Sequence, residues 1–140
     1  MALAPSGMII GAHVLVYSEA AAADRRFVRD VLGFPSVDAG GGWLIFALPA
    51  SELAVHPTET TQPVVHAGHQ SLRSELYLMC DNLEAFLQAL RAKGVEHSEV
   101  GREPWGLRTT IRLPSGGELG LYQPTHPTAL GLQAKGRKPA

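Results

Sequence analysis

Two kinds of hydrophobic spacing alternate along this chain, and they recur in the same order twice. Residues 9–17 are rich in β-branched and aliphatic side chains and predict a strand. Residues 20–32 predict a helix, with Phe27, Val28, Val31 and Leu32 on one face and Gly33 ending it. Two further apolar runs follow at 43–48 and 52–56, punctuated by Gly40-Gly41-Gly42 and Pro49-Ala50-Ser51.

The second pass starts with a strand at 75–80 and a helix at 83–93. Asp81 is the expected N-cap, and Glu84 three residues on completes a capping box. Leu83, Phe86, Leu87 and Leu90 form the helix's apolar stripe, and Gly94 stops it. A short strand is expected near 95–100, then strands at 107–113 and 118–122 around the turn Pro114-Ser115-Gly116-Gly117. The closing hairpins, 48–57 and 113–122, align once a single turn residue is allowed as an insertion. A repeat of about 50 residues used twice is an internal duplication, because solenoids need three or more units. The expected fold is therefore α/β and a single domain over 1–140. Two tandem βαβββ modules, 8–57 and 74–124, are joined by a polar linker, 58–73, and followed by a surface tail, 125–140.

Strand periodicity extends the reading to a pocket. Side chains alternate faces along a strand. Val14 and Val16 thus oppose His13, Leu15 and Tyr17; Leu53 and Val55 oppose Glu52, Ala54 and His56. Leu76 and Leu78 oppose Glu75, Tyr77 and Met79; Leu119 and Leu121 oppose Glu118, Gly120 and Tyr122. One face of each strand is aliphatic and suits burial under the two helices. The other mixes aromatic, ionisable and small residues, which fits a curved mixed sheet enclosing a cup-shaped ligand cavity. Aligning the turns pairs Trp43 with Arg108, Ile45 with Thr110 and Ala47 with Arg112; Leu44, Phe46, Leu48, Thr109, Ile111 and Leu113 are the helix-facing set. Trp43, Tyr77, Arg108 and Tyr122 are the candidate ligand-binding residues. An arginine there holds a carboxylate or phosphate bidentately, or else pairs with a structural carboxylate such as Glu75 or Glu118.

Bulk properties narrow the function classes. Apolar residues make up 45% and charged residues 18%, the range of an ordinary globular protein. The formal net charge of −1 gives no field that would recruit nucleic acid or an anionic membrane, and no run approaches the length of a membrane span. The basic residues Lys135, Arg137 and Lys138 lack interleaved aromatics and read as a solvated end. Cys80 is the only cysteine, so no internal disulfide or cysteine-pair zinc site is available, and it reads as a core thiol. Residues 1–7 lack a basic region followed by an apolar core, so no secretory leader is expected and the cytoplasm is the default location. No nucleophile elbow, P-loop or dinucleotide fingerprint occurs. His66 and His69 fall in the linker and are expected to be loop residues.

Residues 9–34, with an early histidine in a strand, a helix and a Val31-Leu32-Gly33-Phe34 run, resemble the opening of a vicinal oxygen chelate protein. Residues 75–95 resemble the start of its second module, and 104–108 (PWGLR) with 114–123 its closing hairpin. This family includes glyoxalase I, extradiol dioxygenases and bleomycin-binding proteins. The resemblance implies a divalent metal (Fe, Mn, Zn or Ni) held by the first and last strands of each module in the enzymes, and the same cup without metal in the binders. His13 and Glu75 match two ligand positions, while Ala54 and Gly120 occupy the other two and cannot coordinate. His56, two residues beyond Ala54 on the same face, is the candidate third ligand beside His13 and Glu75. The alternative is a hydrogen-bonded His13–Glu75 pair with His56 at the rim. Two functions follow. One is a metal-free small-molecule binder taking an anionic or aromatic ligand. The other is a metal-dependent lyase, isomerase or dioxygenase, with Tyr17 or Tyr122 as the candidate acid or base; a metal-free enzyme with Glu75 or His13 as the base is a third. The resemblance also implies a homodimer.

Overall fold

The computed structural model describes residues 7, 9, 11–59 and 64–132. The first six residues and the basic group Lys135, Arg137 and Lys138 lie outside the described residues. The best-formed part is the second module. Helix α2 (Leu83–Ala92) packs across a four-stranded sheet in the order β5 (Tyr77–Met79), β8 (Glu118–Pro124), β7 (Gly106–Arg112), β6 (Gly101–Glu103). Strand β5 runs parallel to β8, while β8–β7 and β7–β6 are antiparallel. The helix exists because Leu83, Leu87 and Leu90 recur on one face, and all three are buried against Ile111, Leu119 and Leu121. Asn82, not Asp81, caps it: the Asn82 side-chain oxygen accepts from the Ala85 amide at 3.0 Å. The Gln123 side-chain oxygen accepts from the Leu83 amide at 2.9 Å, tying the start of the helix to the end of β8.

Alternation holds throughout this sheet. Leu76, Leu78 and Cys80 pack on the core side, as do Leu107, Ile111 and Leu113. The strand expected at 95–100 is reduced to a bridge between His97 and Ile111, with β6 starting just beyond it at Gly101. Ser98 explains the arrangement. Its carbonyl accepts from the buried Thr109 hydroxyl at 2.7 Å and its hydroxyl from the Thr110 amide at 2.9 Å, so side-chain bonds replace part of the ladder.

The first module is built differently. Helix α1 (Ala21–Phe27) widens into a π-helical turn, Val28–Leu32, and stops at Gly33, whose φ of 75° is the left-handed conformation glycine adopts freely. Strands β1 (Ser36–Asp38) and β2 (Leu44–Phe46) form a small hairpin closed by Gly40, Gly41 and Gly42. Two amides of that turn, Gly40 and Gly42, donate to Asp38 Oδ1 at 2.7 and 3.2 Å. The linker is not purely irregular: β3 (Val65–His66) and β4 (His69–Gln70) make a two-residue hairpin through Ala67 and Gly68, both at positive φ. His66 and His69 thus sit opposite each other in a short ladder. Among the described residues no helix is long and apolar enough to cross a membrane.

The strands expected at 9–17 and 52–56 do not form among the described residues. Val14, Leu15, Val16 and Tyr17 are all exposed, and Leu53 and Val55 are 91% and 90% exposed. Strand conformation is held by ladder partners, and among the described residues no strand pairs with either segment.

Helix α1 is fixed instead to the second module. Phe27, Val31 and Leu32 pack on its core, and the Lys93 ammonium donates to the Val31 carbonyl at 3.2 Å. Asp24, a buried carboxylate, accepts from the Ser115 amide at 2.9 Å and the Ser115 hydroxyl at 2.7 Å. Charge-assisted bonds of this kind are the strong ones, and both lie at the junction of the modules. Asp24→Ala leaves the Ser115 amide without its partner and is expected to lower unfolding free energy by about 2 kcal/mol. Leu87→Ala, a core truncation, should cost about 2–5 kcal/mol. Urea titration followed by circular dichroism checks both, and an Asp24→Ala chain as stable as the parent would refute the junction's role.

Candidate functional site

The non-core face of the second sheet gathers an aromatic cluster. Tyr77 on β5 and Tyr122 on β8 share this face, with ring centroids 5.7 Å apart and planes at 89°. Trp105, in the turn between β6 and β7, packs 5.2 Å from Tyr122 and 6.0 Å from Tyr77, both edge-to-face. Edge-to-face packing sets the positive rim of one ring against the negative face of the next. The Thr125 amide, donating to the Trp105 carbonyl at 3.0 Å, and the Thr125 hydroxyl, donating to the Pro104 carbonyl at 3.3 Å, hold that turn in place.

Glycine at position 120 is a requirement of this cluster. Tyr77 pairs with Gly120 across the β5–β8 ladder, and its ring lies so close over the glycine that a Cβ there would overlap ring carbons Cδ1 and Cε1. Gly120 therefore marks a close approach of a side chain to backbone.

Behind Tyr122 stands a polar chain. Its hydroxyl lies 3.1 Å from His126 Nε2, and the two rings stack at 20° and 5.9 Å. His126 Nδ1 is 2.8 Å from the Pro127 carbonyl oxygen. Glu52 Oε2 is 3.8 Å from His126 Nε2, while Glu52 Oε1 accepts from the Ala129 amide at 2.8 Å. Thr125, His126 and Ala129 are thus tied to the rest of the chain, Thr125 and His126 to the second module and His126 and Ala129 to Glu52. Burial first, and the Glu52 carboxylate second, push the Tyr122 phenol above its usual pKa, so it is a protonated donor at neutral pH. Burial, then Asp81, likewise raises the Cys80 thiol, in keeping with a core position.

Arg108 lies directly beside Tyr122 in the β7–β8 register. Its Nε and Nη2 both donate to Glu103 Oε1 at 2.9 Å. The structural carboxylate that meets it is therefore Glu103; Glu75 is 3.6 Å from Arg73 and Glu118 3.6 Å from Arg112. Trp43 takes its ring contact from another direction, with the Arg25 guanidinium 4.6 Å above it.

Of the expected site residues, then, Tyr77 and Tyr122 come together with Arg108 adjacent, and Trp43 stands with Arg25. His13 and His56 are exposed and Glu75 faces Arg73. Among the described residues no group of three or more His, Cys, Asp or Glu could hold a metal ion. The set His13, His56 and Glu75 does not assemble within the single chain, so no step can be derived through a metal there. Trp105, His126 and Glu52 were missed by strand-by-strand reading. Trp105 lies in a turn, and the other two meet only through the segment after β8. The signal for Trp105 was an aromatic residue inside the PWGLR turn, where exposed sequence is usually polar.

The sequence profile of the Glyoxalase/Bleomycin resistance protein/Dioxygenase superfamily matches residues 11–121. This chain belongs to that superfamily. No curated protein sequence matches it. Among solved structures it is similar to TnmS3, an antibiotic binding protein from Streptomyces sp. CB03234, at 24% identity and a TM-score of 0.52, covering 84% of this chain and 100% of that one. It is also similar to lactoylglutathione lyase from Agrobacterium tumefaciens, at 15% identity and a TM-score of 0.55, covering 86% and 96%. At these identities the likeness establishes the fold. In this superfamily member a tyrosine ring lies over a glycine of the last strand of the second module.

That packing is testable by exchange. Gly120→Ala forces a methyl group into the Tyr77 ring and is expected to destabilise by about 1–3 kcal/mol, as overpacking does. In Tyr77→Ala the space is open, so adding Gly120→Ala to it should cost a few tenths of a kcal/mol. A double-mutant cycle by urea titration reads the difference. Equal cost in both backgrounds would show that the ring does not sit over Gly120.

Proposed function

We propose that this chain is a metal-free small-molecule binding protein, that it holds an aromatic ligand against the Tyr77–Trp105–Tyr122 cluster, and that it works as a homodimer. The observation that carries the reading is the Tyr77 ring over Gly120. A coordinating side chain at position 120 would have to share space with that ring, so this strand end offers a π-surface at a position where the family resemblance implies a metal ligand. Planar ligands stack on such surfaces, and a few placed polar groups then set orientation. Arg108, its charge met by Glu103, favours an uncharged aromatic group over a carboxylate or phosphate. The fold's use in an antibiotic binding protein, TnmS3, points the same way. A lone, half-buried cysteine suits the reducing cytoplasm.

The dimer is supported by surface. Val14, Leu15, Val16, Leu53 and Val55 are exposed apolar residues on segments whose sequence is that of strands. A second copy of the chain would supply the missing neighbours and complete the cup.

Two measurements test this reading. Elemental analysis of protein purified without chelator should find no stoichiometric metal; Fe, Mn, Zn or Ni bound one per chain and lost in His13→Ala or Glu75→Ala would replace the binder with the metal-dependent enzyme. Light scattering should give twice the chain mass, shifting to one chain mass in Val55→Asp. A monomeric parent would remove the dimer.

A further inference from the structure

The polar chain behind Tyr122 fixes which way its hydroxyl proton points, and this has a consequence for the ligand. A carbonyl oxygen only accepts hydrogen bonds. The 2.8 Å contact between His126 Nδ1 and the Pro127 carbonyl therefore requires the proton on Nδ1. In the neutral imidazole Nε2 is then bare and can only accept. Its partner at 3.1 Å is the Tyr122 hydroxyl, which must donate to it. The elevated phenol pKa is consistent, since the proton stays on oxygen. Glu52, held by the Ala129 amide on one oxygen, adds a negative charge near the imidazole and keeps the ring and the segment carrying it in place.

With its one proton committed to His126, the Tyr122 oxygen has only lone pairs left to offer, and among the described residues no donor reaches it. We infer that the ligand group recognised at Tyr122 is a hydrogen-bond donor, an aromatic hydroxyl or ring N–H, and that His126 and Glu52 are positioning residues that impose this polarity. An acceptor-only group at the same place would face lone pairs and the field of Glu52. The neighbouring cation gives it little relief, because Glu103 already occupies Arg108. This inference rests on the binding reading above and deepens it from an aromatic ligand to a phenol-like or N–H-bearing one.

The test uses three planar probes of matched size, naphthol, methoxynaphthalene and naphthoate, in equilibrium dialysis against the full chain near pH 8, where an ordinary imidazole is neutral. Naphthol should bind about tenfold more tightly than either of the others, the worth of one hydrogen bond made or lost. The ratio should collapse towards one in Tyr122→Phe, which keeps the ring and removes the acceptor. In His126→Ala the hydroxyl is free to turn and donate, so methoxynaphthalene should gain on naphthol although the ring cluster is intact; a merely structural His126 would weaken all three probes alike. Nitrogen-15 shifts of the His126 ring should report a protonated Nδ1 and a bare Nε2. Equal binding of the three probes, or an unchanged ratio in His126→Ala, overturns the donor inference and leaves the aromatic binding face standing. Retention of none of the probes overturns both.

Discussion

Leu119 and Leu121 lie in the core under α2, and that single fact orients the rest of the candidate site. Because side chains along a strand alternate, burying these two leucines sends Gly120 and Tyr122 to the opposite face. The same logic acts on β5, where Leu78 goes inward and Tyr77 outward, and on β7, where Thr109 and Ile111 go inward and Arg108 and Thr110 outward. The helix stripe Leu83, Leu87 and Leu90 is what makes one face apolar enough to matter. Tyr122 is buried on its own face of the sheet, and a one-residue slip of β8 would turn it toward α2 and send Leu121 to the opposite face, so the register is held by the energy of several buried leucines at once. The site inherits its precision from packing on the other side of the sheet.

On that outer face the charges are largely matched in pairs. Arg108 meets Glu103, and Glu52 accepts from the Ala129 amide with the His126 ring 3.8 Å away. What remains is three rings in mutual edge-to-face contact and one hydroxyl of fixed polarity. In the binder proposed above, such a surface would discriminate by shape and by the direction of a hydrogen bond. It has little with which to attract a charged ligand from a distance, in keeping with a net charge of −1 over the whole chain.

Most of the second module was legible from the sequence. Helix α2 and strands β7 and β8 fall within a residue or two of their expected positions, because their apolar spacing is strong and each is bounded by a glycine or a turn. The cap moved from Asp81 to Asn82 because both are capping residues and only backbone geometry chooses between neighbours. Ser98 was opaque for another reason: its bonds to Thr109 and Thr110 substitute for a ladder, which no periodicity signals. At the site, Tyr77 and Tyr122 could be placed on a shared face by alternation. The roles of Glu52 and His126 could not, since they depend on a contact between the end of one module and the segment after the other. The glycine at 120 was read as a lost metal ligand, while its positive function, room for Tyr77, appears only once β5 and β8 are in register.

The two modules share a sequence pattern but not a state, and the reason lies in what α1 covers. Its stripe, Phe27, Val31 and Leu32, packs on the core of the second module, Asp24 binds the closing turn there, and Lys93 reaches back to Val31. A helix fastened in that direction leaves the strand sequences at 9–17 and 52–56 without the layer that would bury their valines and leucines. Alternating apolar patterns are retained at a surface only with something to cover them, since each exposed aliphatic side chain forgoes about 1.5–3 kcal/mol of burial. Among the described residues the second module already has its helix and its four strands, and its open ladder edges are β5 and β6. The unmet surface and the unmet edges are of the same kind, strand backbone and aliphatic side chain. That shared character is the physical ground of the homodimer proposed above.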